Sequence, residues 1–270
     1  MNLTDITTKG YVVLRNFLDE GDVDRLIGSY KQSIDNRGSN KNYGVVSSKI
    51  DHSLEDKIHP LLSSIREVSD LTVDMCYKGG MYFRSESIDF KWHQDHETYY
   101  LTQQATNAIN LWIPLIKPDR NNTGLSIVPF DKLGTSLKHF LGFGARNISI
   151  IDSSTITVED CENGDNFELS CDIESLAVSP EIGPRDVLVM RGDTLHRTQD
   201  TMNDRLAMSI RCFDSRDVIS RDKFYSGCQH KHTMISNNPK LYQSLIDKFT
   251  LTESVLVGDI LPHHKFISKL

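Results

Sequence analysis

Asn203-Asp-Arg-Leu-Ala-Met-Ser-Ile-Arg-Cys-Phe213 alternates with a period of two. In a strand, successive side chains point to opposite faces. Leu206, Met208, Ile210 and Cys212 therefore form one face, which is apolar and suited to packing. Arg205, Ala207, Ser209 and Arg211 form the other, which combines two guanidinium groups with two small residues. That second face is odd for a core and sensible for a pocket, because a guanidinium fork binds a carboxylate through two parallel hydrogen bonds.

Working outward, the chain before this stretch is rich in short β-like segments. They are Thr72–Tyr77, Met81–Arg84, Asp89–His93, Ala108–Leu115, Leu125–Val128, Asn147–Ile151, Thr155–Val158, Asn166–Cys171 and Val187–Met190. Gly, Asn, Asp and Pro punctuate them. Gly10–Phe17 reads as a further strand. Asp19 is a plausible cap for a helix carrying Val23, Leu26, Ile27 and Tyr30 at helical spacing. Residues 35–48, full of Asn, Gly and Ser, read as a loop. Ser53 is placed to cap a second helix, whose face is Leu54, Ile58, Leu62, Ile65 and Val68, with Pro60 kinking it or marking its start. Pro239–Phe249 reads as a last helix. Many short strands after a helical start predict a mainly β fold. The expected form is a double-stranded β-helix (a jelly roll, cupin-like) with N-terminal and flanking α-helices. The expected organisation is one domain over residues 1–270. It comprises a helical section at 1–70, a jelly-roll core at 71–213 with an insertion of hairpins at about 131–184, and a C-terminal extension at 214–270.

Composition narrows the function. The 270 residues are 38% hydrophobic and 25% charged, as in ordinary globular proteins. The net charge is -7 and no long run of Lys or Arg occurs, which argues against nucleic acid as a partner. Residues 1–10 are polar and lack the apolar segment of a signal peptide, and no stretch is apolar enough to span a bilayer. Cys76, Cys161, Cys171, Cys212 and Cys228 are odd in number and form no C-x-x-C pair. They read as reduced thiols of a cytoplasmic protein rather than a disulfide or zinc framework, with a Cys161–Cys171 pairing across a hairpin a minor possibility. A homo-oligomer is left open.

The chemistry centres on Trp92-His-Gln-Asp-His-Glu97. On a strand, His93 and Asp95 share a face and can grip one ion, whereas His96 points away. His196, just beyond the apolar strand Val187–Met190 and the turn Arg191-Gly-Asp193, is the best third ligand. Two imidazoles and one carboxylate on one side of an octahedral ion leave the other side open, as non-haem Fe(II) oxygenases require. An H-x-D pair alone is weak evidence; the distal His, the later Arg205 and the intervening strands strengthen it. Arg205 is positioned to hold the far carboxylate of a keto diacid whose near end chelates iron.

Four stretches resemble the phytanoyl-CoA dioxygenase family of Fe(II)/2-oxoglutarate oxygenases. They are Lys9–Leu18, Trp92-His-Gln-Asp95, Ala108–Leu115 with Asn122–Pro129, and Leu188–His196 through Arg211. The resemblance implies the jelly roll, iron at His93, Asp95 and His196, and 2-oxoglutarate at Arg205. Trp112, Ser209 and Asn110 are then expected beside that co-substrate. The chain departs from the family at Pro184-Arg-Asp186, where a Gly-Asp is usual, and at Phe130-Asp-Lys132, in place of Gly-Ser-His. These departures fall on turns and the pocket rim, not on the metal residues.

The implied activity is oxidation of a small-molecule substrate with dioxygen, 2-oxoglutarate leaving as succinate and CO2. Because a carboxylate occupies position 95, hydroxylation, desaturation or ring formation is favoured over halogenation. Tyr82, Arg84, Tyr99, Tyr100 and Arg211 flank the motif strands and are candidates for lining the substrate pocket. Two other readings stay open: a cupin-like metal enzyme that does not use 2-oxoglutarate, and an inactive jelly-roll binding protein.

Overall fold

The strand at Leu206–Phe213 lies in the middle of the largest sheet, and the two faces of its alternation look into two different cores. The computed structural model describes residues 2–35, 45–77, 79–84, 90–95, 107–118, 124–133, 146–160, 165–199, 204–226 and 239–260. In chain order the strands are β1 (Tyr11–Leu14), β2 (Val45–Lys49), β3 (Met75–Cys76), β4 (Gly79–Arg84), β5 (Ala108–Ile116), β6 (Leu125–Val128), β7 (Arg146–Asp152), β8 (Thr155–Asp160), β9 (Asn166–Ser170), β10 (Val187–Arg191), β11 (Leu195–Thr198), β12 (Leu206–Phe213), β13 (Val218–Ser220) and β14 (Ser254–Leu256). The large sheet runs β1-β10-β5-β12-β4-β2, with β3 also on β12, and every pairing is antiparallel.

Opposite it lie the pair β11-β6 and the meander β7-β8-β9. Residues 90–95 bridge them: His93 pairs with His196 of β11, and Ile148 N of β7 donates to Trp92 O at 2.9 Å. Two facing antiparallel sheets with helices outside make the expected mainly β jelly roll. Among the described residues the sheets do not close into a barrel.

Period-two alternation sorts side chains between the cores. Leu206, Met208, Ile210 and Cys212 of β12 join Ile109, Leu111, Ile113 and Leu115 of β5 and Val187 and Val189 of β10 in the core under the helices. Ala207, Trp112, Leu188 and Met190 turn the other way, toward Leu125 and Ile127 of β6. Central strand β5 carries Pro114, which cannot donate to a ladder. The register with β12 shifts there, from Leu206↔Ile116 to Ala207↔Pro114, a β-bulge that accommodates it. Gly80 lies so close to β12 that a Cβ would meet Met208 Cε at 1.8 Å.

Three helices precede or flank the sheet: α1 (Asp5–Thr8), α2 (Glu20–Asp35) and α3 (His52–Val68). Asp19 does cap α2, reciprocally with Asp22: Asp22 N donates to Asp19 Oδ1 at 2.8 Å and Asp19 N to Asp22 Oδ2 at 2.9 Å. Several local expectations are corrected. The cap of α3 is Asp51, which accepts from Leu54 N, and not Ser53. Pro60 lies inside α3, and Val68 is 40% exposed rather than part of its buried face. Part of the expected loop at 35–48 is β2, recruited because β4 offers it a partner edge. The expected strand Asp89–His93 is only a bridge at His93 among the described residues. Strands β11, β13 and β14 were not expected.

In the turn Pro184-Arg-Asp186, Arg185 adopts φ +77, in the left-handed region that favours glycine. The turn is held by Asp186, which accepts from Arg15 Nη1 (2.8 Å), Asn16 N (3.1 Å) and Gly183 N (2.9 Å). After β12, the ribbon β13-β14 and the helices Arg221–Tyr225 and Pro239–Phe249 build their own core. That core includes Ala108 and Phe213 of the large sheet and Tyr77, which follows β3. Cys76, Cys171 and Cys212 are buried and take part in no disulfide. No helix among the described residues is long and apolar enough to cross a membrane.

Candidate metal centre

Residues 90–95 run antiparallel to β11 because backbone groups pair across them. His93 N donates to His196 O at 2.9 Å and His196 N to His93 O at 3.0 Å. Directly opposed residues of an antiparallel pair present side chains on the same face. The two rings accordingly meet with centroids 4.3 Å apart. Two residues on, Asp95 returns to that face, and its N donates to Gly192 O at 3.2 Å. Nε2 of His196 is 3.8 Å from Oδ1 of Asp95. The ligand atoms of His93, Asp95 and His196 all lie within 4.8 Å of one another; among the described residues this is the group able to hold a metal ion.

Both imidazoles have their tautomer fixed. Nδ1 of His93 lies 2.7 Å from Lys91 O, and Nδ1 of His196 lies 2.9 Å from Thr194 O. A carbonyl only accepts, so each Nδ1 carries a hydrogen and, in the neutral ring, each Nε2 carries the lone pair. Metal-ligating histidines are oriented in this way. The turn leading to His196 is rigid as well. Arg191 donates to both oxygens of Asp193 (3.0 and 2.9 Å) with both residues buried, and Thr194 Oγ1 donates to Gly10 O at 2.9 Å.

Behind Asp95 lies a polar patch on the inner face of the large sheet. Arg211 Nη2 donates to Asp95 Oδ1 at 2.9 Å, and Asn110 Nδ2 to Asp95 Oδ2 at 3.3 Å. Ser209 lies between Asn110 and Arg211. Arg205, immediately before β12, is 6% exposed, with Nη1 donating to Gly124 O at 2.9 Å. A second cation, Lys117, converges there: it is 8% exposed, donates to Ile182 O at 2.7 Å, and its Nζ is 3.2 Å from where a Cβ on Gly124 would sit.

The structure brings His93, Asp95, His196, Asn110, Ser209 and Arg211 together. Trp112 lies one alternation further along β5, opposite Ser209. Tyr82 is not with them: it is fully buried in the helix-side core and stacks against Tyr30. Arg84 pairs with Asp204 at 3.1 Å, both exposed. Tyr99, Tyr100 and His96 lie outside the described residues. The aromatics near the site are instead Phe83 and Phe90. Phe83 packs on Trp112 (5.4 Å) and Phe90 (6.1 Å), and Phe90 on the His93 ring (5.5 Å). Alternation held the signal for Phe83, since it takes the opposite face to Tyr82. Glu174 was missed too. From the helix Ile173–Leu176 it accepts from Trp92 Nε1 at 3.0 Å and Arg197 Nη2 at 2.7 Å, joining the chain neighbours of His93 and His196.

No protein-family model matches the chain, the phytanoyl-CoA dioxygenase family included, and no curated protein sequence matches it. Solved structures do. SnoK, a non-haem alpha-ketoglutarate-dependent carbocyclase from nogalamycin biosynthesis, superposes with a TM-score of 0.53 at 14% identity over 79% of this chain and 83% of that one. The non-haem monooxygenase ThoJ gives 0.51 at 16% identity over 80% and 78%. EctD from S. alaskensis gives 0.51 at 11% identity over 84% and 80%. At these identities the likeness is one of fold: the chain shares the jelly roll of these three proteins.

Proposed function

We propose that the chain is a mononuclear non-haem Fe(II) oxygenase that uses 2-oxoglutarate and dioxygen to oxidise a small molecule. One observation carries this reading: two Nε2 lone pairs and a buried carboxylate converge on one point, with both tautomers set for metal ligation. The donor set of two imidazoles and one carboxylate fits iron and leaves coordination positions for other ligands. Bound there with 2-oxoglutarate and dioxygen, iron would supply the oxidising power to attack a C–H bond, 2-oxoglutarate leaving as succinate and CO2.

The residues divide the remaining work. His93, Asp95 and His196 hold the metal. Arg205 holds the distal carboxylate of 2-oxoglutarate. It is four residues from Ser209, about 13 Å of extended strand, which a diacid and the Arg205 side chain can bridge between them. Lys117 adds a second positive charge at that end, and Trp112, Asn110 and Ser209 form the wall between. Phe90, 39% exposed beside His93, gives the substrate side an apolar, aromatic lip. The outcome is hydroxylation, desaturation or ring closure of a small substrate, in a chain folded as one unit and akin to the phytanoyl-CoA dioxygenases.

The test is to add Fe(II) and then 2-oxoglutarate to oxygen-free protein and record the visible spectrum. Chelation of Fe(II) by a keto acid gives a weak charge-transfer band. The expected result is a band in the wild type that is lost in His196→Ala and needs far more 2-oxoglutarate in Arg205→Ala. Iron binding without a band would remove 2-oxoglutarate from the reading; no iron binding would remove the metal.

A further inference from the structure

Arg211 is buried at 7% exposure, next to the metal ligand Asp95 at 3%. Its contacts belong to a closed ring of four side chains. Arg211 Nη2 donates to Asp95 Oδ1 (2.9 Å) and Nη1 to Ser209 Oγ (2.6 Å). Ser209 Oγ donates to Asn110 Oδ1 (2.8 Å), and Asn110 Nδ2 donates to Asp95 Oδ2 (3.3 Å). Every hydrogen in the ring has one direction. Arginine only donates, so the serine hydroxyl accepts from it and passes its own hydrogen to the amide oxygen. The amide NH2 then faces the carboxylate; a flipped amide would set oxygen against oxygen. Register supports the closure, since Arg211 and Asn110 are directly opposed across β12 and β5.

We propose that Arg211 is a positioning residue that fixes the Asp95 carboxylate for the metal, with Ser209 and Asn110 as parts of the same unit, rather than a group that meets substrate. The inference rests on the metal reading above. Nη1 and Nη2 each donate one hydrogen bond within the ring. To greet a substrate anion, Arg211 would have to break its buried hydrogen bonds to Asp95 and Ser209, which is unfavourable. A planar fork is what the geometry demands, because one group must reach Asp95 and Ser209 at fixed angles; a lysine ammonium is a single point.

The sign of the effect separates this role from simple charge balance. A cation beside a metal ligand repels a divalent ion, so removing Arg211 would tighten metal binding if orientation were unimportant. If orientation dominates, removing it weakens binding by roughly 10–100-fold, as the loss of partners that orient metal ligands does.

The experiment is anaerobic titration of the full-length apo-protein with Co(II), followed by calorimetry and by the visible spectrum of the bound ion. The expected result is that Arg211→Met weakens Co(II) binding by roughly 10–100-fold. Arg211→Lys should recover little of the loss, because it restores the charge and not the fork, and Ser209→Ala should show a smaller weakening. The double change Arg211→Met with Ser209→Ala should be no worse than Arg211→Met alone, because one unit has already been broken. Thermal denaturation without metal establishes that each variant folds. If Arg211→Met does not fold, Arg211→Lys and Ser209→Ala decide, and unchanged affinity in both overturns the proposal. Equal or tighter binding in a folded Arg211→Met also overturns it while leaving the metal site intact. Failure of the wild type to bind Co(II) overturns the metal reading itself, and this inference with it.

Discussion

Replacing Asp217 by asparagine should stabilise the protein at neutral pH and do little near pH 4. Asp217 lies in the turn between β12 and β13, 7% exposed, where the C-terminal extension meets the large sheet. Its backbone is used on both sides: N donates to Asp214 O at 3.1 Å, and O accepts from Val257 N at 2.8 Å. Burial, and then the neighbouring charges of Asp214 and Asp74, push its carboxyl up from 3.8 to about 6, against the opposing pull of Asn107 and Arg216. One oxygen accepts from Asn107 Nδ2 at 3.2 Å; the other is buried with no hydrogen-bond partner.

A carboxyl raised in the folded state favours folding when protonated. Its contribution is therefore fully present below pH 3.8 and is lost as pH rises through about 6. The full difference between those values corresponds to about 3 kcal/mol. Solvent screening at this junction reduces the expected effect to about 1–2 kcal/mol. The assay is urea denaturation of wild type and Asp217→Asn from pH 4 to 8. The variant's advantage should grow from near zero at pH 4 to about 1–2 kcal/mol at pH 7.5. Asp214 works in the opposite sense. Its contacts with Arg216 and Thr72 outweigh burial and hold it at about 2, so its contribution is present above 3.8 and lost in strong acid. It therefore leaves the pH 4–8 window to Asp217. An advantage that is constant across that window, or reversed in sign, would refute the reasoning, because then the carboxylate would not be the group whose ionisation the fold resists.

Gly80→Ala should cost about 1–3 kcal/mol in a denaturant melt, because the new Cβ overlaps Met208 inside a filled core; an unchanged melt would show that the β4–β12 approach is looser than described. Glu174→Ala should lower stability by about 1 kcal/mol, since it strips acceptors from Trp92 and Arg197. It should also weaken Co(II) binding, because those residues neighbour both ligand histidines; titration of the folded variant reads this directly.

The β alternation, the mainly β class and the shared face of His93 and Asp95 were legible in the chain because each depends on short-range geometry, whereas His196 joins them through a long-range bridge to His93. Leu206–Phe213, Leu125–Val128 and Pro239–Phe249 fall where the sequence placed them, since a repeating apolar pattern survives any arrangement of the elements. His93 and Asp95 share a face by spacing alone. What the sequence could not decide was which face of a strand meets which core. Tyr82, Phe83 and Arg84 are consecutive, and only the pairing of Ala207 with Phe83 and Met208 with Tyr82 sends Phe83 to the site side and Tyr82 to the helices.

The same holds for Val45–Lys49, polar enough to read as a loop and a strand only because β4 presents an unpaired edge. It holds again for Arg211, which in the sequence is an inward-facing charge with several uses. Only the approach of residues 90–95 to β12 supplies the carboxylate that engages it. Local periodicity set the elements and their faces; long-range pairing chose the partners, because a backbone edge or a buried charge takes its meaning from whatever the fold brings opposite it.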